Sequence, residues 1–190
     1  MIQTPKLYAL LHVADNVRKA PRGVGNQTPI DVYLRCGATL AASCEHFGVP
    51  FAIITNDADF IGRRLSELGL TISLVEREFN LDVPAGADFY SAHFKLELYR
   101  AFGDGDFGPL CGLIDIDTVL INPIPPMDLA PREVVVYSII DQVKCRYSTE
   151  TIRGSVAALI GDAEAEAEWW GGELILGSLG SSCKCNTHRP

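Results

Sequence analysis

Apolar residues fall in short blocks between polar turns, and their spacing alternates between strand-like and helix-like along the chain. Lys6 to Val13 (KLYALLHV) is a nearly continuous apolar run of strand length, which suits a strand covered on both faces. Asp31 to Phe47 carries Val32, Leu34, Ala38, Ala41, Ala42 and Phe47 at helical spacing, with Thr28-Pro29 as a start signal and Gly48 as a stop. Phe51 to Thr55 (FAIIT) predicts a buried strand, Phe60 to Leu68 a helix stopped by Gly69, and Ile72 to Val75 a third strand. Glu76 to Asp88, with Pro84 and Gly86, reads as a loop. Phe89 to Phe102 places Phe94, Leu98 and Phe102 on one helical face, and Gly103 to Pro109 breaks it. Leu110 to Ile114 is a short, wholly apolar strand that runs straight into Asp115-Ile116-Asp117. Beyond it, Val134 to Ile140 predicts a strand, Thr149 to Ile160 and Asp162 to Glu168 predict helices, and Glu173 to Leu176 a last strand.

Alternating strands and helices imply an α/β fold with a mostly parallel central sheet flanked by helices. One domain over residues 1–178 is expected, followed by a flexible C-terminal tail over 179–190, where Gly, Ser, Cys and Lys dominate. No internal repeat is visible.

Composition narrows the function classes. The 190 residues are 47% hydrophobic and 21% charged, enough to bury a core and to exclude wholesale disorder. Sixteen Lys and Arg against 24 Asp and Glu give a net charge of −8, which argues against a general nucleic-acid or anionic-membrane surface. An anionic substrate would have to be held locally, by a few cations, backbone amides or a metal ion. No apolar run approaches the roughly 18 residues of a transmembrane segment. The N-terminal block lacks a small-residue cleavage site. None of the six cysteines forms a C-x-x-C pair, and Cys36, Cys44 and Cys111 lie in apolar segments, so a reducing, cytoplasmic setting is expected. Self-association as a homo-oligomer is left open.

The sharpest chemical feature is Leu113-Ile114-Asp115-Ile116-Asp117-Thr118-Val119-Leu120. Ligands of parallel α/β sheets bind beyond the carboxyl ends of the strands, where this strand presents two carboxylates. In extended chain Asp115 and Asp117 point the same way and can share one hard cation, which would bridge a diphosphate. The plainer alternative is a turn-forming Asp pair that closes the strand.

Phe89-Tyr90-Ser91-Ala92 with Lys95, a helix, and then Gly112 to Leu120 resemble the central block of GT-A type nucleotide-sugar glycosyltransferases. The similarity is greatest to glycosyltransferase family eight, the glycogenin and lipopolysaccharide galactosyltransferase group. Val13-Ala14-Asp15, Asn56-Asp57, Asp141 and Trp170-Gly171-Gly172-Glu173-Leu174 follow in the order of that family, so the resemblance spans residues 5 to 178. It implies that Asp115 and Asp117 hold Mn²⁺ or Mg²⁺ on the diphosphate of a nucleotide-sugar, a UDP-hexose, and that the hexose passes to a hydroxyl acceptor with retention. By the same resemblance His12, Ala14 and Asp15 face the base and ribose, and Lys95 and Ile114 contact the nucleotide-sugar. Asp141 and Glu173 serve the transferred sugar and the acceptor as catalytic residues, with Gly171 and Gly172 allowing close backbone approach. For Lys95 the alternative is an exposed helix cation; for Asp141, a helix cap or turn; for Trp169-Trp170, which could stack on a sugar, a core-and-rim pair.

Two departures mark the chain. Members of the family supply a third metal ligand from a His in an H-x-x-G-x-x-K-P-like motif, which has no counterpart here, and they continue past the position of Gly177 through helices that build the acceptor side. A nucleotide-sugar-binding protein without transfer activity is therefore one alternative. The other is a haloacid-dehalogenase-like phosphatase with Asp115 as nucleophile and Asp117 as general acid, for which Ser138 and Lys144 are the available partners. Gly23-Val24-Gly25 lacks the third glycine of a dinucleotide fingerprint, no phosphate-loop or nucleophile-elbow motif is present, and Cys183, Cys185 and His188 make at most an incidental metal set.

Overall fold

The computed structural model describes residues 4–14, 28–84, 90–125, 133–137, 148–161 and 171–178. The expectations for Asp15, Asp141, Ser138, Lys144, Trp169, Trp170, Cys183, Cys185, His188, the helix over 162–168 and the tail over 179–190 lie outside those residues. Six strands form one sheet: β1 (Lys6–Leu10), β2 (Phe51–Thr55), β3 (Leu74–Glu76), β4 (Leu110–Ile114), β5 (Val134–Val135) and β6 (Leu174–Ser178), in the order β3-β2-β1-β4-β6-β5. Among the described residues the helices are α1 (Pro29–His46), α2 (Ala58–Glu67), α3 (Lys95–Asp104), entered through a 3₁₀ turn at Tyr90–Phe94, and α4 (Thr149–Ile160).

Side-chain alternation along the strands divides the core in two. Leu7 and Ala9 of β1, Ile53 of β2 and Ile114 of β4 face α1 and α2, packing against Leu34, Leu40 and Cys44 of α1 and against Ile61 and Leu65 of α2. Tyr8, Ile54, Cys111 and Leu113 face the other way, against Leu98 and Phe102 of α3. This two-sided cover is why the strands read as continuous apolar runs. Ile53, Ile54 and Leu98 are fully buried, each contributing roughly 1.5–3 kcal/mol relative to exposure.

The sheet corrects one expectation: it is mixed, not mostly parallel. β1 runs parallel to β2 and β4, and β2 to β3, but β6 is antiparallel to both of its neighbours, β4 and β5. A short apolar run specifies burial and carries no information on direction. The β4–β6 contact is tight at Gly112, opposite Leu176; a Cβ there would lie 2.6 Å from the Ile175 carbonyl oxygen and 3.3 Å from Leu176 Cα.

Several boundaries moved: β3 begins at Leu74 rather than Ile72, and β5 covers only Val134–Val135, with residues 138–140 of the expected strand outside the described ones. β1 stops at Leu10, short of Val13, because Val13 pairs with the Asn56 side chain instead of a strand: its N–H donates to Oδ1 at 2.7 Å and its carbonyl accepts from Nδ2 at 3.0 Å. The segment expected to be one helix from Phe89 is a 3₁₀ turn followed by α3, a common way for an α-helix to begin. The last strand runs from Leu174 to Ser178, with Glu173 just before it.

Candidate functional site

β1 has β2 on one side and β4 on the other, so the chain connections diverge at this point of the sheet. Beyond the carboxyl ends of β1 and β4 lies a cleft of about 540 Å³, the size of a small-molecule site and at the place where open α/β sheets bind ligands. Leu10, Leu11 and His12 supply the wall from β1, and Pro29, Ile30 and Tyr33 supply that from the start of α1. Tyr90, Ser91, Ala92 and Lys95 enter from the 3₁₀ turn and α3, and Asp115, Ile116 and Asp117 from the end of β4. The N-terminal ends of α1 and α3 thus both border the cleft, where their dipoles favour negative charge.

Asp115 is anchored as a continuation of the sheet. Its N–H donates to the Glu173 carbonyl at 2.8 Å, extending the β4–β6 ladder by one residue. Its own carbonyl accepts from Thr118 twice, from N–H at 3.1 Å and from Oγ1 at 2.6 Å, so Asp115 to Thr118 forms a turn rather than extended chain. Between the two carboxylates Ile116 drops into the core against Ala9, Ile30, Leu34 and Ile53, and Asp117 stands exposed at the corner. Both aspartates are among the residues that line the cleft, though by way of a turn and not by strand periodicity.

Lys95 is the cationic partner of this site. Its ammonium forms an ion pair with Asp115 Oδ1 and donates to the Gly172 carbonyl at 3.3 Å. The pair is partly shielded, with side chains 21% and 31% exposed. Burial together with the Asp115 charge raises the pKa of the nearby Tyr99 phenol.

His12 stacks on Phe94, with ring centroids 4.2 Å apart and planes at 24°, and meets Tyr90 and Phe79 edge-on. It is thereby part of an aromatic cluster that borders the cleft. Ala14 is half-buried just past the Asn56 clasp, outside the cleft wall, and Ile114 packs wholly in the core against Leu7, Leu40, Cys44 and Leu176.

Glu173 is next to Asp115 through the ladder bond and accepts a hydrogen bond from the Tyr137 hydroxyl. Partial burial, that hydrogen bond and the charges of Glu173 and Asp115 push the Tyr137 phenol up to about 12. Gly171 N–H donates to the Tyr137 carbonyl at 2.8 Å, and a Cβ on Gly171 would sit 2.7 Å from Glu173 Oε2. A side chain at Gly171 would therefore make the Tyr137–Glu173 pair shift.

Sequence reading had not singled out Tyr33, Tyr90 as a wall residue, or Tyr137. Tyr33 follows Ile30 by three positions on the first turns of α1, a signal that would have found it. Tyr137 carries no such signal, because its partner is 36 residues away.

Asp115 and Asp117 offer two hard oxygen donors. That set fits Mg²⁺ or Mn²⁺, ions that keep several waters and take further oxygens from a phosphate ligand. Among the described residues no cluster of three or more His, Cys, Asp or Glu forms a metal-holding group, so the rest of the shell would come from ligand and water. No helix among the described residues is long and apolar enough to cross a membrane. No protein-family model matches the chain, and no curated protein matches it.

Proposed function

We propose that the protein is a metal-dependent glycosyltransferase of GT-A type, moving a hexose from a nucleotide-sugar, a UDP-hexose by the resemblance, to a hydroxyl acceptor. The observation that carries the reading is the meeting of Asp115, Asp117 and Lys95 in one cleft, beyond the ends of β1 and β4. Asp115 and Asp117 would hold Mn²⁺ or Mg²⁺, which when bound supplies positive charge to a departing diphosphate. The Lys95 ammonium and the first turns of α1 and α3 add fixed positive potential to the same region, in a protein that is acidic overall. Apolar and aromatic walls from Ile30, Tyr33 and Tyr90 supply contact area and exclude water around the ligand.

In the transfer the bond between the anomeric carbon and the diphosphate oxygen breaks, and its electron pair leaves with the diphosphate. A bond from the acceptor oxygen forms, and the acceptor's proton is released. Glu173, which accepts from the Tyr137 hydroxyl and bonds Asp115 through the backbone, is not among the residues that line the cleft and is assigned to the acceptor hydroxyl by the resemblance alone. Asp141 is assigned to the transferred sugar by the resemblance alone.

The test is release of UDP from UDP-glucose and UDP-galactose with Mn²⁺ present. Release is expected in the native protein and is lost in Asp115→Asn and Asp117→Asn while their circular dichroism and melting are unchanged. Binding of the donor without any release would identify the non-transferring alternative. Absence of both donor binding and UDP release would refute the proposal.

A further inference from the structure

Lys95 stands at the first position of α3, against the positive end of that helix, where a cation is electrostatically disfavoured unless an anion compensates it. Asp115 Oδ1 is the anion that does so, and the Gly172 carbonyl at the start of the β6 segment is its second acceptor. The ammonium therefore lies against the same carboxylate that would coordinate a divalent ion. A carboxylate already neutralised through Oδ1 attracts a second cation at Oδ2 less than a free one does, so the two cations compete for Asp115.

Building on the reading of the cleft as a metal and diphosphate site, we infer that Lys95 is an exchangeable counter-ion: a divalent cation at Asp115 and Asp117 displaces its ammonium, which then binds the ligand's phosphate. With Lys95 on Asp115 the cleft is internally neutralised at that carboxylate and resists both a lone metal ion and a lone diphosphate. A metal–diphosphate complex satisfies all three charged side chains at once and is the ligand class the cleft selects. Cation and anion loading are consequently coupled, and each must raise the affinity for the other by the same factor.

The experiment titrates the full chain with Mn²⁺ alone, followed by the resonance of free Mn²⁺, then with inorganic pyrophosphate alone, and then with both. Native protein, Lys95→Met, Lys95→Arg and Asp115→Asn are compared, with melting curves as the folding control. Lys95→Met should bind Mn²⁺ alone about threefold tighter or more, since an ion-pair competitor has been removed. In the same variant the factor by which pyrophosphate strengthens Mn²⁺ binding should fall, Lys95→Arg should preserve it, and Asp115→Asn should lose Mn²⁺ binding. Equal Mn²⁺ affinity in the native protein and Lys95→Met, an unchanged coupling factor, or no Mn²⁺ binding in either would overturn the exchange. Because no sugar is involved, exchange without UDP release would sink only the transferase reading. Mn²⁺-dependent UDP release with an unchanged coupling factor would sink only the exchange.

Discussion

Acid should loosen the cleft before it unfolds the sheet, through one buried carboxylate. Asp31, in the first turn of α1 and 1% exposed, receives Arg64 of α2 in two bonds, Nε to Oδ1 at 2.6 Å and Nη2 to Oδ2 at 2.8 Å. Its Oδ2 also accepts the Thr28 N–H at 2.7 Å, so it caps the helix end that borders the cleft. The Arg64 hydrogen bonds outweigh burial and hold the carboxyl down at about 2, from an ordinary 3.8. A depressed folded pKa contributes stability that is complete above the unfolded value and is lost as pH falls through the folded one. A shift of nearly two units corresponds to roughly 2–3 kcal/mol, lost between about pH 5 and about pH 2. Asp31→Asn removes the charge at every pH and leaves Arg64, 16% exposed, with Glu67 as its remaining ionic partner among the described residues. That variant should lose about 3 kcal/mol at neutral pH, and the loss should shrink toward zero near pH 2. Urea unfolding of both proteins across that range reads the difference directly. A gap that stays constant with pH, or widens in acid, would refute the assignment of the stabilisation to this pair.

Two further outcomes test the frame around the site. Gly112→Ala should cost about 1–3 kcal/mol, because the added methyl group meets the Ile175 carbonyl across the β4–β6 contact; an unchanged melting temperature would contradict that close antiparallel approach. Burial pushes the Cys44 and Cys111 thiols up to about 11, whereas Cys36 is only partly buried. Brief iodoacetamide treatment of the folded protein near neutral pH should therefore label Cys36 well ahead of Cys44 and Cys111, as read by peptide mass spectrometry, and early labelling of either buried thiol would count against the core packing.

Apolar spacing located β1, β2, β4, α1 and α2 to within a few residues, because in this two-sided sheet burial and sequence pattern carry the same information. The direction of β6 was invisible for the same reason: LILGS has the apolar character of a buried strand whichever way it runs. Asp115, Asp117, Lys95 and His12 were singled out in sequence, and all four line one cleft. The turn at Asp115 to Thr118 is the plainer alternative the Asp pair offered in sequence, and the Thr118 hydroxyl closes it on the Asp115 carbonyl. Ile114 looked like a ligand neighbour by position but belongs to the core by strand parity. Asp31 and Arg64, 33 residues apart, and Tyr137 and Glu173, 36 apart, meet only when α1 packs beside α2 and β6 returns beside β5, so local pattern had no means of pairing them.

On the proposed reading, Asp115 and Asp117 make this cleft a metal-dependent site for a nucleoside diphosphate. Calorimetric titration with UDP, first with Mn²⁺ and then with the ion chelated, tests it most directly. The account predicts micromolar binding with Mn²⁺, loss on chelation, and loss in a folded Asp115→Asn variant. Binding that survives both chelation and the substitution, or no binding under any condition, would contradict it.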